Sequence, residues 1–266
     1  MTTRVAIHGA AGRMGRELIL AIHQADGLEL GAAFEREGHE SLGQDAHCLV
    51  GLPAGGTSLS SDLATGLASV DVVIDFSLPE ASTRLLRAAT TCQRAAVVGT
   101  TGGQQEWQNV IAALSQQAPV VVAPNFSQGV SVLAELARLA IRMLGDEFDA
   151  EIVEMHHRAK VDAPSGTANH LAQVVTAAKG LEGSATVHGR SGAVGARPKG
   201  EVGVLSLRGG DVVGDHTLIL AGPAERLELT HRAHSRDVFA RGAVRAASWV
   251  VGRDPGHYDM HDVMKG

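Results

Sequence analysis

The sequence contains only two cysteines, Cys48 and Cys92, among its 266 residues. Two thiols are too few to build a disulfide framework. They are typical of a protein from a reducing compartment, where a free thiol is most often buried. The cysteine content therefore predicts a cytoplasmic protein with two buried free thiols.

Aromatic residues are scarce at 3%, and the charge balance is mildly acidic, with a net charge of −6. An acidic balance argues against broad nucleic-acid binding. No apolar run approaches the roughly 18 residues that cross a bilayer. The opening segment MTTRVAIHGAAGRMG also lacks the hydrophobic region of a signal peptide. We therefore expect neither nucleic acid nor a membrane as a partner.

Glycine and small aliphatic residues are abundant instead. The chain has 32 glycines and a hydrophobic content of 44%. Such a composition predicts a core of Ala, Val, Leu and Ile, with many tight turns. The length is sufficient for two modest domains.

Short β-branched runs alternate with helical patterns over the first 125 residues. This alternation predicts an α/β fold with a parallel sheet and right-handed crossovers. The segment from 37 to 60 is Gly-rich and fits neither period, so we expect an irregular excursion there. The predicted strands are Arg4–His8, Leu28–Phe34, Val70–Asp75, Ala95–Val98 and Val120–Ala123, and the predicted helices are Arg13–Ala25, Pro79–Thr91 and Gln104–Gln116.

The pattern changes after residue 126, where strands follow one another without intervening helices. This arrangement predicts a separate α+β domain with an open mixed sheet. We expect residues 1–126 with 236–266 to form the first domain and 127–235 the second, with a mobile loop at 184–200. The predicted helices are Gly129–Leu144, Ser165–Lys179 and a final Asp237–Val251 before a short tail, and the predicted strands are Ala150–Met155, Val202–Leu207, His216–Ala221 and Arg226–Thr230.

A glycine loop, Gly9-Ala10-Ala11-Gly12-Arg13-Met14-Gly15, joins the first predicted strand to the first helix. Glycines let backbone N–H groups approach a pyrophosphate, and the helix N-terminus adds unpaired donors. Glu35, 20 residues after Gly15, is placed to accept from ribose hydroxyls, while Arg36 beside it is placed to pair with a 2′-phosphate. The spacing is G-x-x-G-x-x-G, and the alternative is a glycine turn that binds nothing.

Two further loops follow predicted strands of the same sheet: Val98-Gly99-Thr100-Thr101-Gly102 and Ala123-Pro124-Asn125-Phe126-Ser127. Ligands of open parallel sheets bind outside the carboxyl ends of the strands. Both loops are therefore expected near the nicotinamide half of a dinucleotide, although either one alone is equally consistent with simple turn chemistry.

The stretch EMHHRAKVDAPSGTA, residues 154–168, gathers groups that suit acid–base chemistry. Histidine titrates near neutral pH, and lysine donates a proton or neutralises a carboxylate. The Ser165-Gly166-Thr167 turn opens a predicted helix and presents free N–H groups to an anion. Arg232 and Arg236 are candidates for additional positive charge. A metal site is not expected, because no third ligand lies at a suitable spacing. The alternative is a solvated surface loop.

Taken together, these motifs resemble the 4-hydroxy-tetrahydrodipicolinate reductase family over the whole chain. The segments that carry the resemblance are GAAGRMG, DFSLPEA, VVGTTG, APNFSQGV, EMHHRAKVDAPSGTA, HRAHSR and YDMHDV, in this order. The resemblance implies a Rossmann-type nucleotide domain, a smaller substrate-binding and tetramerisation domain, and a homotetramer. It also implies reduction of a small cyclic dicarboxylate by NADH or NADPH with loss of water, in the diaminopimelate route to lysine.

The resemblance also implies roles for single residues. His156 would be the proton donor or acceptor and Lys160 the proton donor, while His157, Gly166 and Thr167 would bind the substrate. Leu78 stands in DFSLPEA where some members carry a basic residue, which predicts a weaker contact to a 2′-phosphate. The residues that would line the cofactor are Gly9, Ala10, Ala11, Gly12, Arg13, Met14, Glu35, Arg36, Gly99, Thr100, Thr101, Ala123, Pro124, Asn125 and Phe126.

Two other functions share part of this pattern. Another two-domain NAD(P) oxidoreductase, such as an amino-acid dehydrogenase, would have the glycine loop but would not need HHRAKVDAPSGTA. A nucleotide-responsive regulator would bind NADH without turning it over, and the intact His-Lys cluster argues against that function.

Overall fold

A computed structural model of the chain describes residues 2–103, 105–181 and 185–266. The chain folds into two compact units. The first combines Met1–Ser127 with Arg236–Gly266, and the second is Gln128–Ser235. The last helices of the sequence therefore belong to the same unit as the N-terminal sheet.

The first unit is built on a seven-stranded sheet in which every recorded strand pair is parallel. The strand order β12-β6-β5-β4-β1-β2-β3 reverses direction between β1 and β4. In such sheets a ligand crevice lies at this switch point, outside the carboxyl ends of the strands. The Rossmann-type sheet predicted from the sequence is confirmed, and its strands are β1 (Thr3–His8), β2 (Leu28–Phe34), β3 (Leu59–Ser60), β4 (Val72–Asp75), β5 (Ala95–Val98), β6 (Pro119–Val122) and β12 (Gly256–Tyr258).

Helices pack against this sheet because its strands are apolar on both faces, as β4 and β5 show by being buried along their whole length. The three predicted helices of this part occur within two residues of their expected ends; residue 104 lies outside the described residues. The helices are α1 (Arg13–Gln24), α2 (Leu63–Ala68), α3 (Pro79–Cys92), α4 (Gln105–Ser115), α7 (Asp237–Val250) and α8 (Met260–Lys265).

Several sequence predictions for this unit were wrong in detail. The excursion at 37–60 contains a short 3₁₀ helix, His47–Val50, and ends in β3, which pairs with β2. The short C-terminal tail, for which no element was predicted, supplies strand β12 beside β6 and then α8. The predicted burial of both thiols also fails, because Cys48 is exposed and Cys92 half-buried.

The second unit has a five-stranded mixed sheet of order β11-β10-β7-β9-β8. Strand β10 is antiparallel to both β7 and β11, whereas β7 and β9 are parallel. This confirms the predicted α+β class with a mixed sheet. Its strands are β7 (Asp149–His156), β8 (Thr186–Val187), β9 (Val202–Arg208), β10 (Gly214–Gly222) and β11 (Glu225–Ala233), and its helices are α5 (Gln128–Leu144) and α6 (Gly166–Ala178).

Strand β7 alternates between buried and partly exposed residues. Alternate side chains of a strand point to opposite faces, so Ala150 and Ile152 enter the core that α5 and α6 cover. Glu154 and His156 continue the same buried face toward the end of the strand. The alternation therefore carries two polar groups inward at the edge of an apolar core.

The segment expected to be a mobile loop, 184–200, is tied to the sheet by two arginines; residue 184 lies outside the described residues. Arg190 donates to both oxygens of Glu151, at 3.2 and 3.0 Å. Arg197 donates to Glu151 at 2.9 Å and to Asp149 at 2.7 Å. These ion pairs could not be predicted from the local sequence, because Glu151 lies about forty residues before the two arginines.

Among the described residues, no helix combines the length and apolar character needed to traverse a bilayer.

Candidate functional site

The glycine loop lies at the switch point of the first unit, directly after β1. Gly9 has a φ of +75°, a left-handed conformation that glycine adopts without steric cost. Its carbonyl accepts a hydrogen bond from the N–H of Gly12 at 3.0 Å, which closes the turn, and Gly12 is the N-cap of α1. The first-turn N–H groups of a helix have no intrahelical acceptor. These donors and the positive end of the helix dipole suit a phosphate.

Gly15 holds the helix close against the loop. A Cβ atom at this position would lie 2.3 Å from the carbonyl oxygen of Gly9 and 2.5 Å from that of Ala10. Only glycine permits this approach of helix and loop, which is the third role of glycine in a dinucleotide fingerprint. The cradle therefore fits a pyrophosphate even though Ala11 replaces the commonest central glycine.

Glu35 follows β2 and turns its carboxylate toward the loop. One oxygen accepts from the N–H of Ala11 at 3.3 Å, and the other accepts from the N–H of Arg36 at 3.0 Å. The side chain of Arg36 is exposed. The structure thus places the Glu35 carboxylate beside the glycine loop and the exposed side chain of Arg36 next to it. Both groups are suited to the recognition of an adenosine ribose.

Asp75, at the carboxyl end of β4, is completely buried beneath the loops at this edge. One oxygen lies 2.8 Å from Nδ1 of His8 and accepts from the N–H of Ser77 at 3.2 Å; the other accepts from the Thr100 hydroxyl at 2.9 Å. Burial opposes ionisation, but the hydrogen bond from His8 holds the pKa of Asp75 below its ordinary value. One carboxylate therefore joins the ends of β1, β4 and β5.

An aromatic contact joins the loops after β4 and β6, and the loop after β5 packs against it. A Cβ atom at Gly99 would lie 2.3 Å from the ring of Phe76, so any larger residue there would displace this ring. The rings of Phe76 and Phe126 are 5.4 Å apart between centroids. Asn125 accepts from the N–H of Ser127 at 2.7 Å, which shapes the second loop. The sequence-predicted cofactor residues thus follow β1, β2, β5 and β6 at one edge of one sheet.

In the second unit, His156 ends β7 and contacts a buried carboxylate on the same face of the strand. Its Nδ1 lies 2.6 Å from Oε2 of Glu154, and the two side chains are 10% and 0% exposed. The N–H of Ser165, the N-cap of α6, donates to the other oxygen of Glu154 at 3.1 Å. Glu154 therefore links the proposed acid–base histidine to the start of the helix that carries Gly166 and Thr167.

Arg208 of β9 completes the surroundings of Glu154 with two parallel hydrogen bonds, at 2.7 and 2.9 Å. Burial alone would raise the pKa of Glu154, but hydrogen bonds from Arg208 and His156 outweigh it and lower the pKa to about 2. Arg208 also donates to the carbonyl oxygen of Asp162 at 2.7 Å. Glu154 is thus a permanent anion that anchors the loop between His156 and α6.

The pKa of His156 lies below its ordinary value. Burial is the largest cause, and the positive charges of Lys160 and Arg208 act in the same direction against the hydrogen bond to Glu154. The imidazole is therefore neutral at neutral pH, with one ring nitrogen available as a base.

Lys160 and His157 lie in the turn after β7, where the N–H of Lys160 donates to the carbonyl of His157 at 3.1 Å. The ammonium group of Lys160 is 2.9 Å from Asp162, and its side chain is 21% exposed. Burial opposes the effect, but the hydrogen bond from Lys160 lowers the pKa of Asp162. The cation is therefore oriented by a carboxylate yet remains accessible.

Gly166 and Thr167 form the first turn of α6. The Ser165 hydroxyl caps the helix by accepting from the N–H of Ala168 at 3.1 Å. Gly166 is exposed, and a side chain there would meet open space. The N-terminal donors of α6 therefore face an accessible region, which suits a carboxylate.

His216 of β10 is a further member of this cluster that sequence reasoning did not select. Its ring stands edge-on to that of His156 at 5.1 Å, and its Nε2 lies 3.2 Å from the Ser165 hydroxyl. Burial lowers the pKa of His216 to about 3, with the neighbouring His156 as the next cause. His216 is thus a neutral packing and hydrogen-bonding partner.

Sequence reasoning also passed over Glu154, Arg208, Asp75 and His8. Glu154 had a usable signal, because it lies two positions before His156 at the end of a predicted strand, and residues i and i+2 of a strand share a face. The other three carry no local signal, since their partners lie 54 residues away for Arg208 and 67 residues away for Asp75 and His8.

The two candidate arginines outside this cluster have different positions. Arg232 on β11 lies 3.6 Å from Asp215, with a side chain 65% exposed. Arg236 is the N-cap residue of α7 and belongs to the first unit. Within the described ranges, no group of three or more His, Cys, Asp or Glu side chains is arranged to hold a metal ion.

Comparison with known proteins covers both units. Residues 3–126 match the family model described as dihydrodipicolinate reductase, N-terminus, and residues 129–264 match its C-terminus. A 4-hydroxy-tetrahydrodipicolinate reductase from Alkalilimnicola ehrlichii is 51% identical and covers 99% of both chains. One from Anaeromyxobacter sp. is 50% identical and covers 98% of this chain and 97% of the relative.

Among solved structures, the chain is similar to a dipicolinate-bound dihydrodipicolinate reductase from Paenisporosarcina sp. TG-14. The TM-score is 0.77 and the identity 26%, with 98% of this chain and 99% of the other covered. The similarity therefore extends over both units rather than over the nucleotide fold alone.

Proposed function

Since the chain belongs to the dihydrodipicolinate reductase family, we propose that it reduces 4-hydroxy-tetrahydrodipicolinate to tetrahydrodipicolinate, with loss of water, by means of the residues described above. Membership makes the chain an NAD(P)-dependent oxidoreductase of the diaminopimelate route of lysine biosynthesis. The reaction adds one hydride and one proton to the substrate and releases one water. The observation that carries the residue assignment is the neutral, carboxylate-bound His156 beside Lys160 and the N-terminus of α6.

The first unit is proposed as the dinucleotide-binding domain. When NADH or NADPH is bound, its nicotinamide supplies the hydride. The loop from Gly9 to Met14 would line the pyrophosphate, with the N–H groups of Arg13 and Met14 in the first turn of α1 as its donors, and Glu35 and Arg36 would recognise the adenosine ribose. Residues 99–101 and 123–126 would line the nicotinamide half. The hydrogen bond of Asp75 and the contact between Phe76 and Phe126 hold these loops in place.

The second unit is proposed to bind the substrate. The relative from Paenisporosarcina was solved with dipicolinate, a cyclic dicarboxylate. The N–H groups of Gly166 and Thr167 would receive one carboxylate, and His157 would contact the same molecule. The backbone N–H groups at a helix N-terminus bind an anion without the help of a charged side chain. Lys160 is therefore available to act on the reacting atoms.

Proton transfer is assigned to His156 and Lys160. An ammonium group has three N–H donors, and only one hydrogen bond of Lys160 goes to Asp162. The remaining donors are available to the substrate. His156 rests neutral and exchanges a proton through the ring nitrogen that Glu154 does not occupy.

We also propose that the second unit joins four copies into a homotetramer. The sheet face opposite α5 and α6 carries a cluster of apolar side chains that this single chain leaves partly uncovered, and Leu207 in it is 50% exposed. Strand register brings these residues side by side: Val153, Met155, Leu205, Leu207 and Ile219. Burying such a face against other copies removes apolar area from water. The free thiols further support a cytoplasmic location.

The test is product analysis with freshly prepared 4-hydroxy-tetrahydrodipicolinate and either NADH or NADPH. The proposal expects cofactor oxidation that depends on this substrate and yields tetrahydrodipicolinate. Oxidation of NADH or NADPH with an oxo acid and ammonia instead, or reduction of NAD+ or NADP+ by an amino acid, would support the broader dehydrogenase alternative. Cofactor binding without turnover of any substrate would support the regulator.

A further inference from the structure

Glu154 has every hydrogen-bonding position of its carboxylate occupied by a donor. Oε2 faces His156 Nδ1 at 2.6 Å and an Arg208 amino group at 2.7 Å, while Oε1 accepts from the Ser165 N–H at 3.1 Å and from Arg208 at 2.9 Å. An ionised carboxylate only accepts hydrogen bonds. The hydrogen between Glu154 and His156 must therefore be carried by Nδ1.

This assignment determines which nitrogen of His156 can react. With Nδ1 protonated, the neutral ring has its lone pair on Nε2, and a second proton can be added or removed only there. The edge-on ring of His216, 5.1 Å away at an interplanar angle of 74°, restricts rotation of the imidazole. The plane of the ring and the position of Nε2 are thus set from two sides.

Gly214, the first residue of β10, lies beside the reactive nitrogen. A Cβ atom there would be 3.0 Å from Nε2 of His156 and 3.3 Å from its Cδ2. The absence of a side chain at 214 therefore keeps the space next to Nε2 clear. Its φ is not among the positive values, so the backbone itself would accept alanine.

We propose that Glu154 and Gly214 are positioning residues for His156: Glu154 fixes the tautomer with the lone pair on Nε2, and Gly214 leaves room for the substrate beside that nitrogen. This inference rests on the proposed role of His156 in proton transfer. It assigns a task to a buried anion that does not itself touch the reacting atoms.

The informative substitution is Glu154→Gln. The backbone N–H of Ser165 can only donate, so it would hold the amide oxygen at the position of Oε1, and the NH₂ group would take the position of Oε2, face Nδ1 of His156 and act as a donor. The ring would then carry its hydrogen on Nε2, the opposite tautomer. A carboxylate-to-amide change beside a catalytic histidine lowers kcat through this inversion. We expect kcat to fall by about 10², the scale of general acid–base catalysis, with little change in substrate KM.

The matched control is Glu151→Gln on the same strand. Glu151 is also bound by arginines, Arg190 and Arg197, but it lies on the opposite face of β7. The kcat of the Glu151→Gln protein should equal that of the native protein, provided that the two proteins sediment alike and so have the same oligomeric state. Equal losses in the two variants would overturn the inference, because the effect would then come from removing any ion-paired carboxylate.

A direct readout uses nitrogen NMR of the protein labelled at histidine, with the His156 signals identified by their absence in His156→Ala. The native protein should show protonated Nδ1 and unprotonated Nε2 at neutral pH, and Glu154→Gln should show the reverse. A native Nε2 that carries the hydrogen overturns the inference without any variant. This result is separate from the proposed role of His156 in proton transfer, which fails instead if His156→Ala retains native kcat, and from the proposed reductase activity, which fails if product analysis finds no tetrahydrodipicolinate.

Gly214→Ala tests the second half while leaving the charges untouched. The tautomer should stay as in the native protein, whereas kcat should fall because the methyl group crowds Nε2. A Gly214→Ala protein with native kcat and native KM would overturn the role of this glycine.

Discussion

The hydroxyl of Thr100 donates to the buried carboxylate of Asp75 at 2.9 Å, and this contact ties the loop after β5 to the end of β4. The other oxygen of Asp75 faces His8 at the end of β1. One buried anion therefore joins the strand ends at the proposed cofactor-binding edge of the sheet.

Replacement of Asp75 by alanine should destabilise the first unit strongly. Three donors, from His8, Ser77 and Thr100, would lose their acceptor, and an orphaned buried partner costs about 3 kcal/mol or more. Both tryptophans, Trp107 and Trp249, lie in this unit, so urea unfolding followed by tryptophan fluorescence measures the effect.

The control for this measurement is Glu106→Ala, which removes an exposed ion pair with Arg87. Its cost should stay below about 1 kcal/mol. A loss of similar size in both variants would show that Asp75 is not the organising anion.

Removal of the acid–base groups should abolish most activity without affecting the cofactor. His156→Ala and Lys160→Ala are each expected to lower kcat by about 10² or more. The dissociation constant for NADH, measured by fluorescence, should barely change, because neither residue belongs to the first unit. Near-native turnover in either variant contradicts its assignment.

The choice between NADH and NADPH should depend on Glu35 and Arg36. Arg36→Ala is expected to weaken the binding of NADPH more than that of NADH. The difference should equal the free energy of one charge-assisted hydrogen bond, about 1.5–3 kcal/mol. Glu35→Ala should harm NADH more, because the carboxylate accepts from a free 2′-hydroxyl and repels a phosphate. KM for both cofactors in each variant provides the measurement.

Leu78 and Glu37 provide controls for the cofactor experiment. Leu78 is 76% exposed at the entrance to α3, so Leu78→Arg should strengthen NADPH selectively. Glu37→Ala, an exposed neighbour of Arg36, should change neither cofactor. Equal losses of NADH and NADPH in Arg36→Ala would place the 2′-phosphate elsewhere.

Acid should destabilise the second unit in two stages. The pKa of buried His216 is lowered from 6.5 to about 3, so its neutral form favours folding above pH 6.5 and this contribution is lost as the pH falls toward 3. The pKa of Glu154 is lowered from 4.5 to about 2, so its contribution of about 3 kcal/mol is complete above pH 4.5 and is lost as the pH falls toward 2.

Thermal midpoints followed by circular dichroism across this pH range test the assignment. His216→Gln keeps a hydrogen-bonding group near Ser165 but cannot gain a proton, so it should flatten the fall between pH 6.5 and 4.5. The control is His188→Gln, a change at an exposed histidine of the same unit. If the thermal midpoint of His216→Gln falls as steeply with decreasing pH as that of the native protein, His216 is excluded as the cause.

Assembly should depend on the apolar sheet face of the second unit. Leu207→Glu places a charge among Val153, Met155, Leu205 and Ile219, and should shift sedimentation from tetramer to smaller species. Val161→Glu, at a loop position that is 99% exposed, should leave the assembly intact. A native protein that sediments as a stable monomer at micromolar concentration contradicts the proposal.

The sequence by itself determined the local elements and the chemical types at the site. The helices α1, α3 and α5 and the strands β1, β2 and β5 could be predicted because hydrophobic periodicity and turn residues act over a few positions. The glycine loop and the His156 to Thr167 stretch could be predicted for the same reason, since each is continuous in the chain.

Only the tertiary structure decided which distant groups complete the site. Arg208 reaches Glu154 across 54 residues, His8 reaches Asp75 across 67, and β12 joins β6 although its three residues carry no strand period of their own. Burial of these polar groups is tolerated because packing brings both amino groups of Arg208 and the ring of His8 to buried carboxylates. Such pairing depends on how strands are ordered in the sheet, which no short window of sequence contains.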